Sequence, residues 1–342
     1  LRSIPSPTLA FPQAALHSPV EGLILDVSVA PLRSYVQRNG TSASDDEGKG
    51  ESTMRLNPFD TSKIKVRSSR AGGGRGARRA GGVGIGAIII ALVAALVFGI
   101  DPSQTLTVLD GAAPATSVTS ANTGDMTEEQ VCRSGPYAQE ACEALTSLNE
   151  TWEVQFARAN IPFQQPTLDL FRDGRVQTDG CGGATSAVGP FYCPADFGIY
   201  IDVTFFDQLA QMSGTRGDFA RLYVMAHEYG HHVQNLTGLA SQVRQAQQRS
   251  PQAANQLNVA MELHADCLAG VWAGLNSSLL DQGDLEEGLR AASSVGDDTI
   301  ARSAGRQIRT ENFTHGTSQQ RMTALRRGLQ SSDPGECNVY FE

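Results

Sequence analysis

The sequence predicts an α+β fold, mostly helical with a small sheet, behind a single N-terminal transmembrane helix. Three observations carry that expectation. An amphipathic helix over 217–238 holds the spacing His227-Glu228-x-x-His231, and further segments of helical period follow it. Short β-rich runs such as Phe197–Asp202 lie between the helices. Ahead of all of them stand twenty uncharged residues, Gly81 to Ile100.

Residues 1–53 mix Pro, Ser and Gly with the acidic run Asp45-Asp46-Glu47 and show no long period, so they are expected to be disordered. Met54 is the first methionine, which makes 1–53 a candidate stretch upstream of the natural start. Residues 54–80 carry the bases Arg55, Lys63, Lys65, Arg67, Arg70, Arg75, Arg78 and Arg79 against the lone acid Asp60, and read as a basic cytoplasmic segment ending in a Gly/Arg/Ser linker. The run at 81–100 has about the length that crosses a bilayer as a helix, roughly 20 residues. It exceeds a signal-peptide core of roughly 7–15 residues, and no small-x-small cleavage site directly follows it. With the basic flank held inside, 101–124 become a flexible stalk and 125–342 a domain on the extracytoplasmic side of the cell membrane. Net charge is -9 despite that basic stretch, so the globular part is acidic and nucleic acid is not an expected partner.

All six cysteines (Cys132, Cys142, Cys181, Cys193, Cys267, Cys337) follow the apolar run. An even number confined to an exported region reads as disulfides. Short separations favour Cys132–Cys142 and Cys181–Cys193, leaving Cys267–Cys337 to tie down the C-terminus. A cysteine metal site is disfavoured, because no C-x-x-C pair occurs.

Within the domain, helical spacing runs from Thr127 to about Ala159, opened by a capping box at Thr127-Glu-Glu-Gln130. Thr167 to Val176 is strand-like with a turn at Asp173-Gly174, and Gly180–Pro194 is a Gly-rich loop. Phe205–Met212 is a helix. The Gln-rich stretch from Ser241 to Gln256 is a polar surface segment, Leu257–Leu275 is helical again, and Ser318–Leu329 forms a last helix.

Residues four apart share a helical face, so His227 and His231 can reach one metal ion, while Glu228 is placed to touch a water on that metal. A catalytic zinc keeps three protein ligands. Thr237 and Gln234 exclude the metzincin continuation. Glu262, His264, Asp266 and His315 remain as candidates for the third ligand. Glu262 and Asp266 share a face and interrupt an apolar helix, whereas His264 points away from them. Glu262 is assigned to the metal, and Asp266 to a hydrogen bond that orients a ligand histidine, expected to be His227. His232 and His264 read as packed residues. Asp297 and Asp298 read as a turn or cap rather than a calcium site.

The Glu262/Asp266 pairing resembles the gluzincins. The chain also resembles the bacterial membrane-anchored neutral zinc metallopeptidases over about residues 54–342. Matching stretches are Met54-Arg-Leu-Asn-Pro, the apolar run, Phe191-Tyr-Cys-Pro, Ile199-Tyr-Ile-Asp202, His227-Glu-Tyr-Gly-His-His-Val-Gln, Glu262-Leu-His-Ala-Asp-Cys-Leu-Ala-Gly, Val295-Gly-Asp-Asp298 and Phe313-Thr-His-Gly-Thr-Ser318. The resemblance implies a zincin-like fold, a zinc cofactor and hydrolysis of a peptide or protein substrate with Glu228 as general base. By analogy, the strand before the metal-binding helix is the edge that pairs with substrate, although an interior strand fits the spacing equally. His315 is the candidate oxyanion stabiliser, with a capping or turn role as the alternative. A catalytically silent zincin-fold binding protein of the cell envelope is the main rival, and a structural zinc domain the third reading.

Overall fold

The computed structural model describes residues 54–69, 126–172 and 174–342. All of them belong to one unit, Ser52–Glu342. The extension 1–53, the apolar run 81–100 and the stalk 101–124 lie outside the described residues. Among those described, no helix is long and apolar enough to cross a membrane.

Helical period becomes helix where the pattern is unbroken. Thr127 and Gln130 close the expected capping box and start α1 (Glu128–Cys132). The expected single helix over 127–159 is in fact two, because Ser134-Gly135-Pro136 interrupts it. Gly135 takes a non-helical conformation, and Pro136 opens α2 (Pro136–Arg158) at a position where no N–H is needed. The Cys132–Cys142 disulfide then staples the two helices. The remaining helices are α3 (Phe205–Ser213), α4 (Asp218–Leu236), α5 (Leu239–Arg249), α6 (Ala254–Leu275), α7 (Asp284–Ser294), α8 (Asp297–Ser303) and α9 (Ser318–Ser331). Thus the Gln-rich segment is largely helical, and its aliphatic Val243 is buried.

The strands are β1 (Val66–Arg67), β2 (Thr167–Phe171), β3 (Arg175–Gln177), β4 (Gly183–Thr185), β5 (Phe191–Cys193) and β6 (Gly198–Asp202). Four of them form a sheet in the order β1-β2-β6-β5, with β1–β2 and β2–β6 parallel and β5–β6 antiparallel. β3 and β4 make a separate antiparallel pair, tied to β5 by Cys181–Cys193. β6, the strand before the helix that carries His227 and His231, is therefore interior; the edge next to it is β5. All five residues of β6 are buried, which an exposed edge would not sustain.

A second correction concerns the basic segment. Residues 54–69, expected on the far side of a membrane from the domain, are part of its fold. Val66 and Arg67 pair with Leu168 and Asp169 of β2. Met54, Ile64 and Val66 enter the same core as Trp152, Phe219 and Trp272. The Asn149 side chain donates to the Lys63 carbonyl (2.7 Å), and Arg67 Nε donates to the fully buried Asp169 (2.7 Å). A membrane-crossing run between residues 69 and 126 would place these partners on opposite faces.

The core wraps α4. The side chains of Phe219, Leu222, Tyr223, Ala226, Tyr229 and Val233 are all buried. α6 crosses α4 closely because Gly230, inside the His-Glu-x-x-His spacing, would place a Cβ only 3.0 Å from the Ala265 backbone. α9 lies still closer to α6: a Cβ on Gly328 would fall 1.8 Å from the Cys267 carbonyl oxygen. The Cys267–Cys337 disulfide fixes the C-terminal 3₁₀ segment Pro334–Phe341 to α6. All three expected pairings are present.

Candidate metal centre

His227 and His231 sit one turn apart on α4, and their rings approach to 4.8 Å between centroids. Glu262 comes to them from α6. Its Oε2 lies 3.2 Å from His227 Nε2, and its Oε1 lies 3.4 Å from His231 Nε2. One donor atom from each of the three residues falls within 4.8 Å of the others. These separations fit a metal. Four ligands arranged tetrahedrally at bond lengths of about 2.0–2.1 Å stand roughly 3.3–3.4 Å apart, and nitrogen and carboxylate donors suit zinc.

The outer nitrogens are held in a way that leaves Nε2 for a metal. Asp266 Oδ1 is 2.8 Å from His227 Nδ1. An ionised carboxylate only accepts, so the proton sits on Nδ1. His231 Nδ1 is 2.9 Å from Gln234 Oε1, and the Gln234 amide in turn donates to the Met261 carbonyl at 2.7 Å. That second contact fixes the amide so that its oxygen faces the histidine.

Asp266 is completely buried and carries several partners besides His227. The Tyr223 hydroxyl donates to Oδ1 at 2.6 Å. Arg321 of α9 donates through Nε to Oδ2 at 2.8 Å and through Nη2 to Oδ1 at 2.9 Å. Burial works against the Asp266 charge, but Arg321 and His227 outweigh it and hold the carboxyl down at about 2. Burial likewise opposes ionisation of Glu262, and the neighbouring histidines still pull it well below the usual carboxylate range. For His227, burial opposes the charge while Asp266 and Glu262 raise it to about 10. Glu228 differs from its neighbours. It is buried beside the ligands, and burial pushes its carboxyl up, only partly offset by His227 and His231. A carboxyl moved toward neutrality is suited to exchange protons.

His315 lies in the turn between α8 and α9. Its Nδ1 is 3.2 Å from Asp297 Oδ1, and Asp297 Oδ2 accepts the backbone N–H groups of Thr314 (2.8 Å), His315 (2.7 Å) and Gly316 (3.1 Å). Burial lowers the His315 pKa, yet the contact to Asp297 and then the charge of Glu262 raise it overall. Asp297 is thus the turn residue expected, and Asp298 accepts from the Ser318 N–H and hydroxyl at the start of α9. His232 is fully buried. The Tyr192 hydroxyl lies 3.0 Å from its Nδ1, its Nε2 lies 2.7 Å from the Gln164 carbonyl, and burial lowers its pKa to about 4. His264 is also packed, with Nδ1 3.2 Å from the Gln234 amide, and is lowered to about 4 by burial.

The structure therefore brings together His227, Glu228, His231, Glu262 and Asp266, while His315 is held on Asp297 in the turn before α9. Tyr223, Gln234 and Arg321 were not singled out from sequence as members of the site. Arg321 left a readable trace, since it shares the stripe Arg321, Ala324, Leu325, Gly328 that α9 buries. A charge on a buried stripe implies a buried partner of opposite sign. Tyr223 looked like one more core aromatic, and Gln234 entered only as a departure from another motif.

Comparison with known proteins agrees with this geometry. Residues 57–340 match the family described as "Putative neutral zinc metallopeptidase". The chain is 41% identical over 271 residues to Uncharacterized protein YpfJ of Escherichia coli K12, covering 78% of this chain and 90% of that protein. It is 36% identical over 265 residues to Uncharacterized protein Rv2575 of Mycobacterium tuberculosis, covering 72% of this chain and 85% of that protein. No solved structure matches. The family match spans both the segment that builds β1 and the helices that carry His227, His231 and Glu262, so the chain belongs to this zinc metallopeptidase family.

Proposed function

We propose that the protein is a zinc-dependent peptidase that hydrolyses peptide bonds. The observation that carries the reading is the convergence of His227, His231 and Glu262 on one point, with the buried Glu228, its carboxyl pushed up by burial, beside them. A zinc ion held by those three residues supplies a Lewis acid that acidifies water and polarises a carbonyl. Glu228 takes a proton from the attacking water and delivers it to the leaving amide nitrogen, so that one water and one amide become an acid and an amine. His315, kept in place through Nδ1 by Asp297, donates to the oxygen that gains charge. Asp266 and Gln234 keep the two ligand rings in their metal-binding tautomer, and Arg321 compensates the buried Asp266 charge.

The substrate is a peptide or protein, and nucleic acid is not a partner. Three disulfides support placement of the domain in an oxidising compartment outside the cytoplasm. The apolar run 81–100 is proposed to attach the chain to the cell membrane without crossing it, because residues 54–69 share one core with the domain.

The test is cleavage of a peptide library by the zinc-loaded full chain beside Glu228→Gln. Cleavage should fall by roughly 10²–10⁴-fold in the variant while bound zinc stays at one per chain. Zinc bound by both proteins with cleavage by neither would favour a binding protein. A folded wild type that takes up no zinc would remove the metal assignment.

A further inference from the structure

One buried histidine beside the metal centre has no part in the chemistry above. His264 stands two residues past Glu262 on α6 and is only 5% exposed. Its Nδ1 lies 3.2 Å from Gln234 Nε2. Gln234 is completely buried and spends both ends of its amide. Oε1 faces His231 Nδ1 at 2.9 Å, while Nε2 reaches the Met261 carbonyl at 2.7 Å as well as His264. One amide on α4 therefore bridges a metal-binding histidine to the two α6 residues that flank Glu262.

Donor and acceptor chemistry sets the direction of each bond. A backbone carbonyl only accepts, so the amide atom against Met261 is the nitrogen, and the oxygen is left for His231. An amide nitrogen only donates, so His264 Nδ1 accepts, and the neutral ring carries its proton on Nε2. Turning the amide over would set its oxygen against the Met261 carbonyl and against the lone pair of His264 Nδ1. It would also present N–H groups to His231 Nδ1 and drive the proton of that ring to Nε2, the atom that faces Glu262. Two acceptors on α6 thus lock the amide, and the amide locks His231. Any residue at position 261 would supply the carbonyl, so His264 is the acceptor that depends on its side chain.

The His264 ring is held in turn. Phe341 packs against it with ring centroids 5.6 Å apart, and the Asn338 side chain hydrogen-bonds it. Both belong to the 3₁₀ segment Pro334–Phe341, which the Cys267–Cys337 disulfide anchors to α6.

We propose that His264 is a positioning residue of the zinc site: it accepts a hydrogen bond from Gln234 and so holds His231 in the tautomer that leaves Nε2 to the metal. This deepens the zinc reading above and rests on it.

The test is zinc affinity, measured on the full chain by competition with a chromogenic chelator. His264→Phe fills the space and removes the acceptor. It should weaken zinc by about tenfold or more, the usual scale for a group that orients a ligand histidine. His264→Asn keeps an acceptor at the δ position and should recover most of that loss. In a Gln234→Leu background, His264→Phe should add no further loss, because the relay is already broken. Unchanged affinity in His264→Phe overturns the proposal. So do equal losses in His264→Phe and His264→Asn, which would reduce the ring to packing, and additive losses in the double variant. Nitrogen NMR of the wild-type zinc protein needs no variant, so a substitution that fails to fold leaves it intact. It should find the His264 proton on Nε2, and a proton on Nδ1 overturns the proposal. A folded wild type that takes up no zinc overturns the zinc reading and this inference with it, whereas zinc bound equally by wild type and His264→Phe overturns this inference alone.

Discussion

At the scale of single residues, Asp266 is the hinge of the candidate metal centre. It touches His227, a tyrosine and an arginine, and it is completely buried. Its value is mutual with that of Arg321. Removing the guanidinium leaves a buried charge uncompensated, which typically costs about 3–5 kcal/mol. Arg321→Met should therefore lower the melting temperature steeply, as differential scanning calorimetry would show. Asp266→Asn, which keeps the shape and loses the charge, should weaken zinc by about 10–100-fold in a competition titration. Unchanged zinc affinity in Asp266→Asn would mean that the contact to His227 Nδ1 does not tune the site.

At the scale of elements, two helix crossings set the site. α6 meets α4 at Gly230, which lets Glu262 reach both histidines, and α9 meets α6 at Gly328, which brings Arg321 onto Asp266. A side chain at the second crossing must push the helices apart, since the atom it meets is backbone. Gly328→Ala should cost roughly 1–3 kcal/mol, read from denaturant melts, and should weaken zinc as well because Arg321 withdraws. The disulfide beside this crossing closes a separation of 70 residues. On loop-closure entropy its loss should cost about 4 kcal/mol. Replacing Cys267 and Cys337 together by Ala gives that measurement without leaving a free thiol. A loss near zero would show that the crossing is held by packing alone.

At the scale of the whole molecule, the pairing of β1 with β2 governs how the chain can be arranged about a membrane. Residues 54–69 and 126–342 share one core, so they must share one side. Ser68→Cys and Ser303→Cys, both at exposed positions, should react with a membrane-impermeant maleimide from the same face of intact spheroplasts. Labelling from opposite faces would show that β1 does not pair in the cell. The same core constrains expression: a protein cut at the stalk loses β1 and the Met54 contact to Asp218.

What the sequence determined by itself was local. The pair His227/His231 and the pair Glu262/Asp266 follow from a period of 3.6 residues, and both appear on the expected faces. Capping at Thr127 and the two short disulfide loops were legible for the same reason: their partners lie within a few residues or a dozen. The break at Ser134-Gly135-Pro136 was equally local, and the apolar period on either side of it concealed it. Only the tertiary structure decided the rest. Arg321 meets Asp266 across 55 residues, Arg67 meets Asp169 across 102, and Met54 meets Asp218 across 164. No periodicity encodes such pairings, because they depend on how helices and strands stack rather than on how each one winds. The interior place of β6 has the same origin, since a strand's own residues show that it is buried but not which neighbours bury it.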